Sequence, residues 1–334
     1  MRMVLFIAPN FSSFVRNDFE ILSKKYRVKN FIYTARKNLP QHLQNQIKLL
    51  FWLLVNLPKA KIIYIWFADY HSLLPVLLAR LFGKRSFLVI GGYDVAHIPE
   101  LDYGSFKNPL RAFCARFAMN NVTLNLPVAD NLAKEVKKRA PKSRIKTVYT
   151  GHSGRLFSAD GKKKEPFVLT VGVGDTWQRF KIKGLDFLIE VARRMSKTQF
   201  VIVGMDDKVR QIFGKMPENI RFTGWVDQDE LVQFYRRAKV YAQFSLREGL
   251  PSSVCEAMLC ECIPVGSDAG GIPIAIGKCG YIVKDRNLDE AVRAIEQALK
   301  SEDTLGKCAR RRVVDNFSVE RREEELYAVL EQSK

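Results

Sequence analysis

The sequence predicts an α/β protein made of two doubly wound domains, each built on a parallel sheet. Three observations predict it. In both halves short apolar runs alternate with segments of helical period, which is the cadence of βαβ units. A chain of 334 residues exceeds the size at which one core keeps growing, and its 47% hydrophobic content can fill two. Residues 244–273, FSLREGLPSSVCEAMLCECIPVGSDAGGIP, read as strand end, loop, helix, short buried strand and glycine turn. In an open parallel sheet such loops lie beyond the carboxyl ends of the strands, where ligands bind.

In the first half, residues 3–8 read as a strand, 17–24 as a helix and 26–33 as a second strand. The run 49–57, LLFWLLVNL, has Lys48 before it and Lys59 and Lys61 after it. At nine residues it is too short to span a bilayer and suits either a core helix or an interfacial one. Residues 62–67 then read as a strand, 72–82 as a helix and 86–90 as a strand ending in Gly91-Gly92. A helix over 108–120, a strand over 122–126, a basic helix over 130–139 and a short strand over 146–149 complete this half. Asp94 and His97 follow the Gly-Gly pair closely enough to reach a site at the strand ends. Asp94 also suits a plain turn former beside glycine.

The second half opens after GKKKEP with a strand over 167–172 and an eleven-residue loop, VGDTWQRFKIK. Gly184 then starts an amphipathic helix with Leu185, Leu188, Ile189 and Ala192 on one face. A strand is expected over 199–204, a helix around Leu231, Phe234, Tyr235 and Ala238, and a strand over 239–244. Pro251 and Ser252 introduce the next helix, in which Ser253 and Glu256 also form the S-x-x-E pattern of a capping box. Residues 263–265 read as a strand, and helices are expected over 288–299, 304–315 and 319–332.

The pattern Glu248, seven residues, Glu256, then Ala257-Met258, Pro264-Val265 and Gly270-Gly271-Ile272-Pro273 resembles the retaining family-4 glycosyltransferases of GT-B fold. The resemblance covers about residues 145–285. It implies two Rossmann-like domains facing a central cleft: an acceptor-binding domain at 1–155, a nucleotide-sugar domain at 156–317, and a terminal helix at 318–334 crossing back to the first. It also implies that Glu248 contacts the donor sugar with Gly249 and Leu250 beside it, that Glu256 holds the ribose hydroxyls, and that Gly270 and Gly271 approach the diphosphate. Lys183 matches the lysine that binds the diphosphate. Val173 stands where the family often has an arginine, and Arg179 or Lys181 is the candidate to supply that charge. Glu261 replaces a usual glycine, and Ser12-Ser13 stands where relatives carry a glycine-rich loop. On the acceptor side Asp94 and His97 are the candidate catalytic residues.

Relatives work without a bound metal, and no DxD-like pair is evident; Asp206-Asp207 reads as a charged loop. No cofactor is expected beyond the nucleotide-sugar, a UDP- or GDP-sugar. Two carboxylates could also serve a glycosidase, but the basic loop around Lys183 would have no purpose in a hydrolase.

Net charge is +19, and it is uneven. Residues 1–160 hold 25 Lys/Arg against 9 Asp/Glu, so the basic excess belongs to the first half. That half is expected to meet an anionic membrane surface or lipid diphosphate. No nucleic-acid module is legible. The six cysteines show no CxxC pairing, which suggests a reduced, cytoplasmic compartment. The first ten residues read as a strand and not as a signal peptide. The expected function is sugar transfer to a lipid-linked or cell-surface glycan, with the enzyme peripheral on the inner face of the cell membrane. The alternative is a catalytically silent GT-B scaffold that binds membrane or a partner protein.

Overall fold

The computed structural model describes residues 1–34, 39–172, 176–205, 214 and 216–332. They form two units, Met1–Gly151 with Val319–Lys334, and His152–Ser318.

Unit 1 holds β1 (Met3–Ala8), β2 (Arg27–Ile32), β3 (Ala60–Trp66), β4 (Arg85–Ile90) and β5 (Leu124–Pro127) in the order β2-β1-β3-β4-β5, all parallel. β1 is buried along its whole length, as an apolar run covered on both faces must be, whereas edge strand β2 is partly exposed. Helices Leu39–Asn56, Tyr70–Leu81 and Pro109–Asn121 pack side by side. Right-handed crossovers place all three on one face of the sheet, with Ser13–Lys25 on the other. Helix Val319–Gln332 packs against Ser13–Lys25.

Residues 49–56 of the apolar run belong to the long helix Leu39–Asn56, and Leu57 opens the short 3-10 turn Leu57–Lys59. Leu49 and Leu53 are buried while Phe51, Leu54 and Val55 face outward. The strand expected over 146–149 does not form. Ile145 makes a single bridge with Asn125, but Pro127 has no N–H to continue the ladder, so Val148 donates to the Pro127 carbonyl without return.

Unit 2 holds β6 (Glu165–Val171), β7 (Gln199–Val203), β8 (Ile220–Phe222), β9 (Ala238–Gln243), β10 (Ile263–Ser267) and β11 (Tyr281–Val283), ordered β11-β10-β9-β6-β7-β8 and again all parallel. The chain moves outward in one direction from β6 and in the other from β9. The β6/β9 boundary is therefore the topological switch point of this sheet, where a crevice opens beyond the carboxyl ends. His152, buried, closes the unit by pairing with Ser318 and donating its N–H to the Phe317 carbonyl.

The expected loop at 173–183 contains a helix, Trp177–Ile182, whose cap Thr176 accepts from the Arg179 N–H. Cys279 and Cys308 are joined by a disulfide across 29 residues, a pairing that short-range spacing does not reveal and that corrects the expectation of reduced cysteines throughout. The other four cysteines are buried and free. Among the described residues no helix is long and apolar enough to cross a membrane.

Candidate functional site

The loops that leave β6 and β9 meet at the switch point. The Leu246 N–H donates to the Ile182 carbonyl at 2.8 Å, tying the two loops together. Gly184 sits at φ +66°, and a Cβ there would lie 1.8 Å from the Phe244 carbonyl oxygen. Only glycine fits that left-handed, crowded position. It fixes the preceding residue, Lys183, opposite the loop that carries Glu248.

Lys183 Nζ reaches Glu248 Oε1 at 2.8 Å. The same oxygen accepts from Gln243 Nε2 at 2.8 Å and Ser245 Oγ at 2.9 Å. Gln243 is itself held: its Oε1 accepts from the Tyr241 hydroxyl and from Ser253 Oγ. Gln243 and Ser245 are buried at the end of β9. A buried network with each member bonded is rigid, and this one aims Glu248. Sequence reasoning missed Gln243, Ser245 and Tyr241; their alternation along β9, one face of a strand, was the available signal.

Ser253 thus points to Gln243 and not to its own helix. The helix Ser252–Leu259 has Pro251 as its cap and no side-chain cap bond, so the S-x-x-E capping box is not formed. Glu256 instead accepts from the buried Tyr235 hydroxyl at 3.1 Å. Desolvation raises its carboxyl to about 7, against a smaller opposing effect from Tyr235.

Gly270 and Gly271 are required by a neighbouring backbone. A Cβ on Gly270, at φ +59°, would lie 2.2 Å from the Glu248 carbonyl oxygen, and one on Gly271 would lie 1.9 Å from that of Gly249. The Gly271 N–H donates to the Glu248 carbonyl. The glycine pair therefore lets the Glu248-Gly249-Leu250 loop seat against it, and Leu250 is buried there. This revises the expected turn, since the Gly271 N–H is already bonded within the protein. The helix that follows, Ile272–Ile276, is only five residues long.

Of the two basic side chains left open by the sequence, Lys181 is committed: its Nζ meets Asp186 Oδ2 at 2.8 Å and lies 4.6 Å from the Trp177 ring centre. Arg286 also meets Asp186. Arg179 is exposed on the helix before Lys183, and Val173 lies outside the described residues. Arg247, half-buried beside Glu248, is a further cation of this loop that the sequence reading did not single out.

In unit 1 the structure gives Asp94 the second of its two expected tasks, that of a turn former. It is 1% exposed, and its oxygens accept from the backbone N–H groups of Ala68, Gly91 and Gly92. Burial pushes its carboxyl up to about 6, opposed by those bonds. It holds the ends of β3 and β4 together and presents no oxygen to a ligand. His97 is exposed on the following loop.

Among the described residues no group of three or more His, Cys, Asp or Glu side chains is placed to hold a metal ion; Asp206 and Asp207 lie outside those residues.

Residues 165–301, which contain Lys183, Glu248, Glu256 and the glycine pair, match the family described as glycosyl transferases group 1. The trehalose synthase of Thermococcus litoralis is 26% identical over 332 residues, covering 87% of this chain and 76% of that one. The sulfoquinovosyl transferase SQD2 of Arabidopsis thaliana is 29% identical over 168 residues, which are 47% of this chain and 31% of SQD2. Among solved structures, sucrose-phosphate synthase from Thermosynechococcus elongatus superposes with a TM-score of 0.80 at 13% identity, over 99% of each chain. Anabaena Alr3699/HepE in complex with UDP and glucose gives 0.77 at 13% identity, again over 99% of each. Over residues 165–301 the chain is thus similar to glycosyl transferases group 1, and its fold is the GT-B fold of these solved structures.

Proposed function

We propose that the protein is a retaining transferase that moves a sugar from a nucleotide-sugar, a UDP-sugar in the first instance, to a lipid-linked or cell-surface glycan at the inner face of the cell membrane. The observation that carries the reading is the pairing of Lys183 with Glu248 at the switch point of unit 2. A carboxylate aimed by a buried network and a cation fixed by a glycine are the parts a nucleotide-sugar site needs. HepE, solved with UDP and glucose, supplies the nucleotide for the first test.

Transfer breaks the bond between the anomeric carbon and the diphosphate and forms one from that carbon to an acceptor oxygen on the same face. Negative charge grows on the leaving diphosphate, and cations fixed beforehand stabilise it without reorganisation. Lys183 takes that role, with Arg179 as its helper. Glu248 orients the donor sugar, and Glu256 accepts from the ribose hydroxyls. The acceptor and the membrane face rest on the basic first half of the chain.

A thermal-shift comparison of UDP, GDP, ADP and CMP tests the reading, with Glu256→Ala as control. A nucleotide held at about a hundredfold over its Kd adds ~2.7 kcal/mol, a visible rise in Tm. A rise with one nucleotide that the variant loses supports the donor site. No rise with any of them removes the support and leaves a silent scaffold.

A further inference from the structure

We infer that the end of unit 1 at the amino ends of its strands docks on an anionic phospholipid leaflet, the Leu81-Phe82 turn entering the interface and the basic cavities beside it taking lipid phosphates. The inference rests on the membrane-face part of the reading above and names the surface responsible.

The three helices on one face of the unit 1 sheet leave an apolar surface uncovered. On Leu39–Asn56 the residues Ile47, Phe51, Leu54 and Val55 follow one another at helical spacing, and Val55 is 71% exposed. On the neighbouring helix Leu81 is 69% exposed, and Phe82, just past its end, is 58% exposed. Large side chains grouped in this way are uncommon on a surface that meets only water. Both helices end beside the amino ends of β3 and β4, so Leu54, Val55, Leu81 and Phe82 fall at the same end of the unit.

Charge at that end is predominantly positive. None of the three helices contains an aspartate or glutamate. Two cavities share Gly83 and Lys84. One, of about 500 Å³, brings Phe82 together with Arg2, Lys61, Lys84 and Arg85; the other, of about 340 Å³, is lined by Arg80, Lys84, Lys142 and Arg144. The sole carboxylate in either lining is Glu331, and Lys25 already pairs with it. Aliphatic side chains rimmed by lysine and arginine match a leaflet, whose acyl boundary takes the former and whose phosphates take the latter. A nucleic acid would use the cations but has no place for Leu54, Val55 or Leu81.

The test is co-sedimentation of the full chain with vesicles of phosphatidylcholine alone and of phosphatidylcholine with phosphatidylglycerol. The protein is expected to sediment with the anionic vesicles and to be released by salt. Neutralising two cations that line the first cavity, Lys61→Gln with Lys84→Gln, is expected to weaken binding about thirtyfold, each charge contributing on the order of fivefold. Leu81→Ser with Phe82→Ser is expected to weaken it tenfold or more. UDP affinity, measured on the same samples, is expected to be unchanged in both variants.

Equal binding to neutral and anionic vesicles, or anionic binding that neither variant weakens, overturns the inference. Binding to duplex DNA with the same affinity and no dependence on Leu81 and Phe82 also overturns it. Loss of vesicle binding from the start with UDP binding intact sinks the surface alone. Vesicle binding as described with no UDP binding supports the surface and sinks the transferase reading.

Discussion

Lys183 Nζ and Glu248 Oε1 stand 2.8 Å apart, although 65 residues separate them in the chain. Glu248 has two further donors in Gln243 and Ser245. Lys183→Met should therefore leave Glu248 in place and cost little stability, as pairs of this exposure contribute about 0–1 kcal/mol. Catalysis should respond differently. Loss of a fixed cation at the leaving group is expected to lower kcat by about a hundred- to a thousandfold with a Tm close to wild type. A variant that melts far below wild type would instead make the pair a structural element.

Most strands and helices were legible because apolar period and turn residues agree with the final packing. β1, β6 and β9 fall within a residue or two of expectation. Glu248, Glu256 and Lys183 stand out in the sequence by spaced motifs. What escaped was long-range. Whether Ser253 caps its helix or bonds Gln243 depends on a strand that precedes it by ten residues. Asp94 could serve a ligand or its own loop, and only the closure of three backbone N–H groups around it decides. The helix in the loop after β6 hid because its six residues carry no clear apolar period. In sequence the glycine pair suits an anion-facing turn, whereas its tightest contacts in the structure are the carbonyl oxygens of Glu248 and Gly249.

Those contacts make Gly271→Ala a test of the loop. Gly271 has an ordinary negative φ, so the substitution carries no backbone penalty of its own. Its new methyl would sit 1.9 Å from the Gly249 carbonyl and must push the 248–250 loop away. Gly184→Ala adds a left-handed φ of +66° to a 1.8 Å clash with Phe244. We expect the first variant to lose donor affinity with a modest loss of stability, about 1–3 kcal/mol, and the second to lose at least as much stability. Nucleotide titration and urea melts of both separate the effects. Wild-type donor affinity in Gly271→Ala would show that the loop does not touch the donor.

Glu256 gives a pH dependence with a defined sign. Its carboxyl is raised by burial from 4.5 to about 7, so the folded protein holds the proton more tightly than the unfolded chain. Stability from this group is full below about pH 4.5 and is lost as pH rises to about 7. Donor binding should run the other way, because an ionised carboxylate is the better acceptor for ribose hydroxyls. Between about pH 6 and pH 8 the ionised fraction grows on the order of tenfold, and UDP affinity should gain accordingly. Glu256→Gln should flatten both trends. Tyr235→Phe removes the bond that favours the ionised form and should move the midpoint upward. Identical pH profiles for UDP binding in wild type and Glu256→Gln would place the ribose elsewhere.

The terminal helix is fixed to unit 1 by one buried ion pair. Arg322, 2% exposed, bonds both oxygens of Asp18, which is fully buried, and donates as well to the carbonyls of Val148 and Tyr149. Asp18 Oδ2 also accepts from the Tyr64 hydroxyl at 2.7 Å and Trp66 Nε1 at 2.9 Å. Arg322→Leu leaves a buried carboxylate without its counter-charge and two carbonyls without their donor, a loss expected to reach about 3–5 kcal/mol. Adding Asp18→Leu removes the orphaned charge, and replacing a buried ion pair with apolar residues is often neutral. Here it should not be, because Tyr64 and Trp66 would each keep a buried donor without an acceptor, at about 1–3 kcal/mol apiece. The double variant is therefore expected to recover part of the loss and to stay below wild type in urea melts, with faster proteolysis near Val319. A double variant as stable as wild type would show that Tyr64 and Trp66 find other acceptors and that the apolar packing of Leu326, Val329 and Leu330 holds the helix by itself.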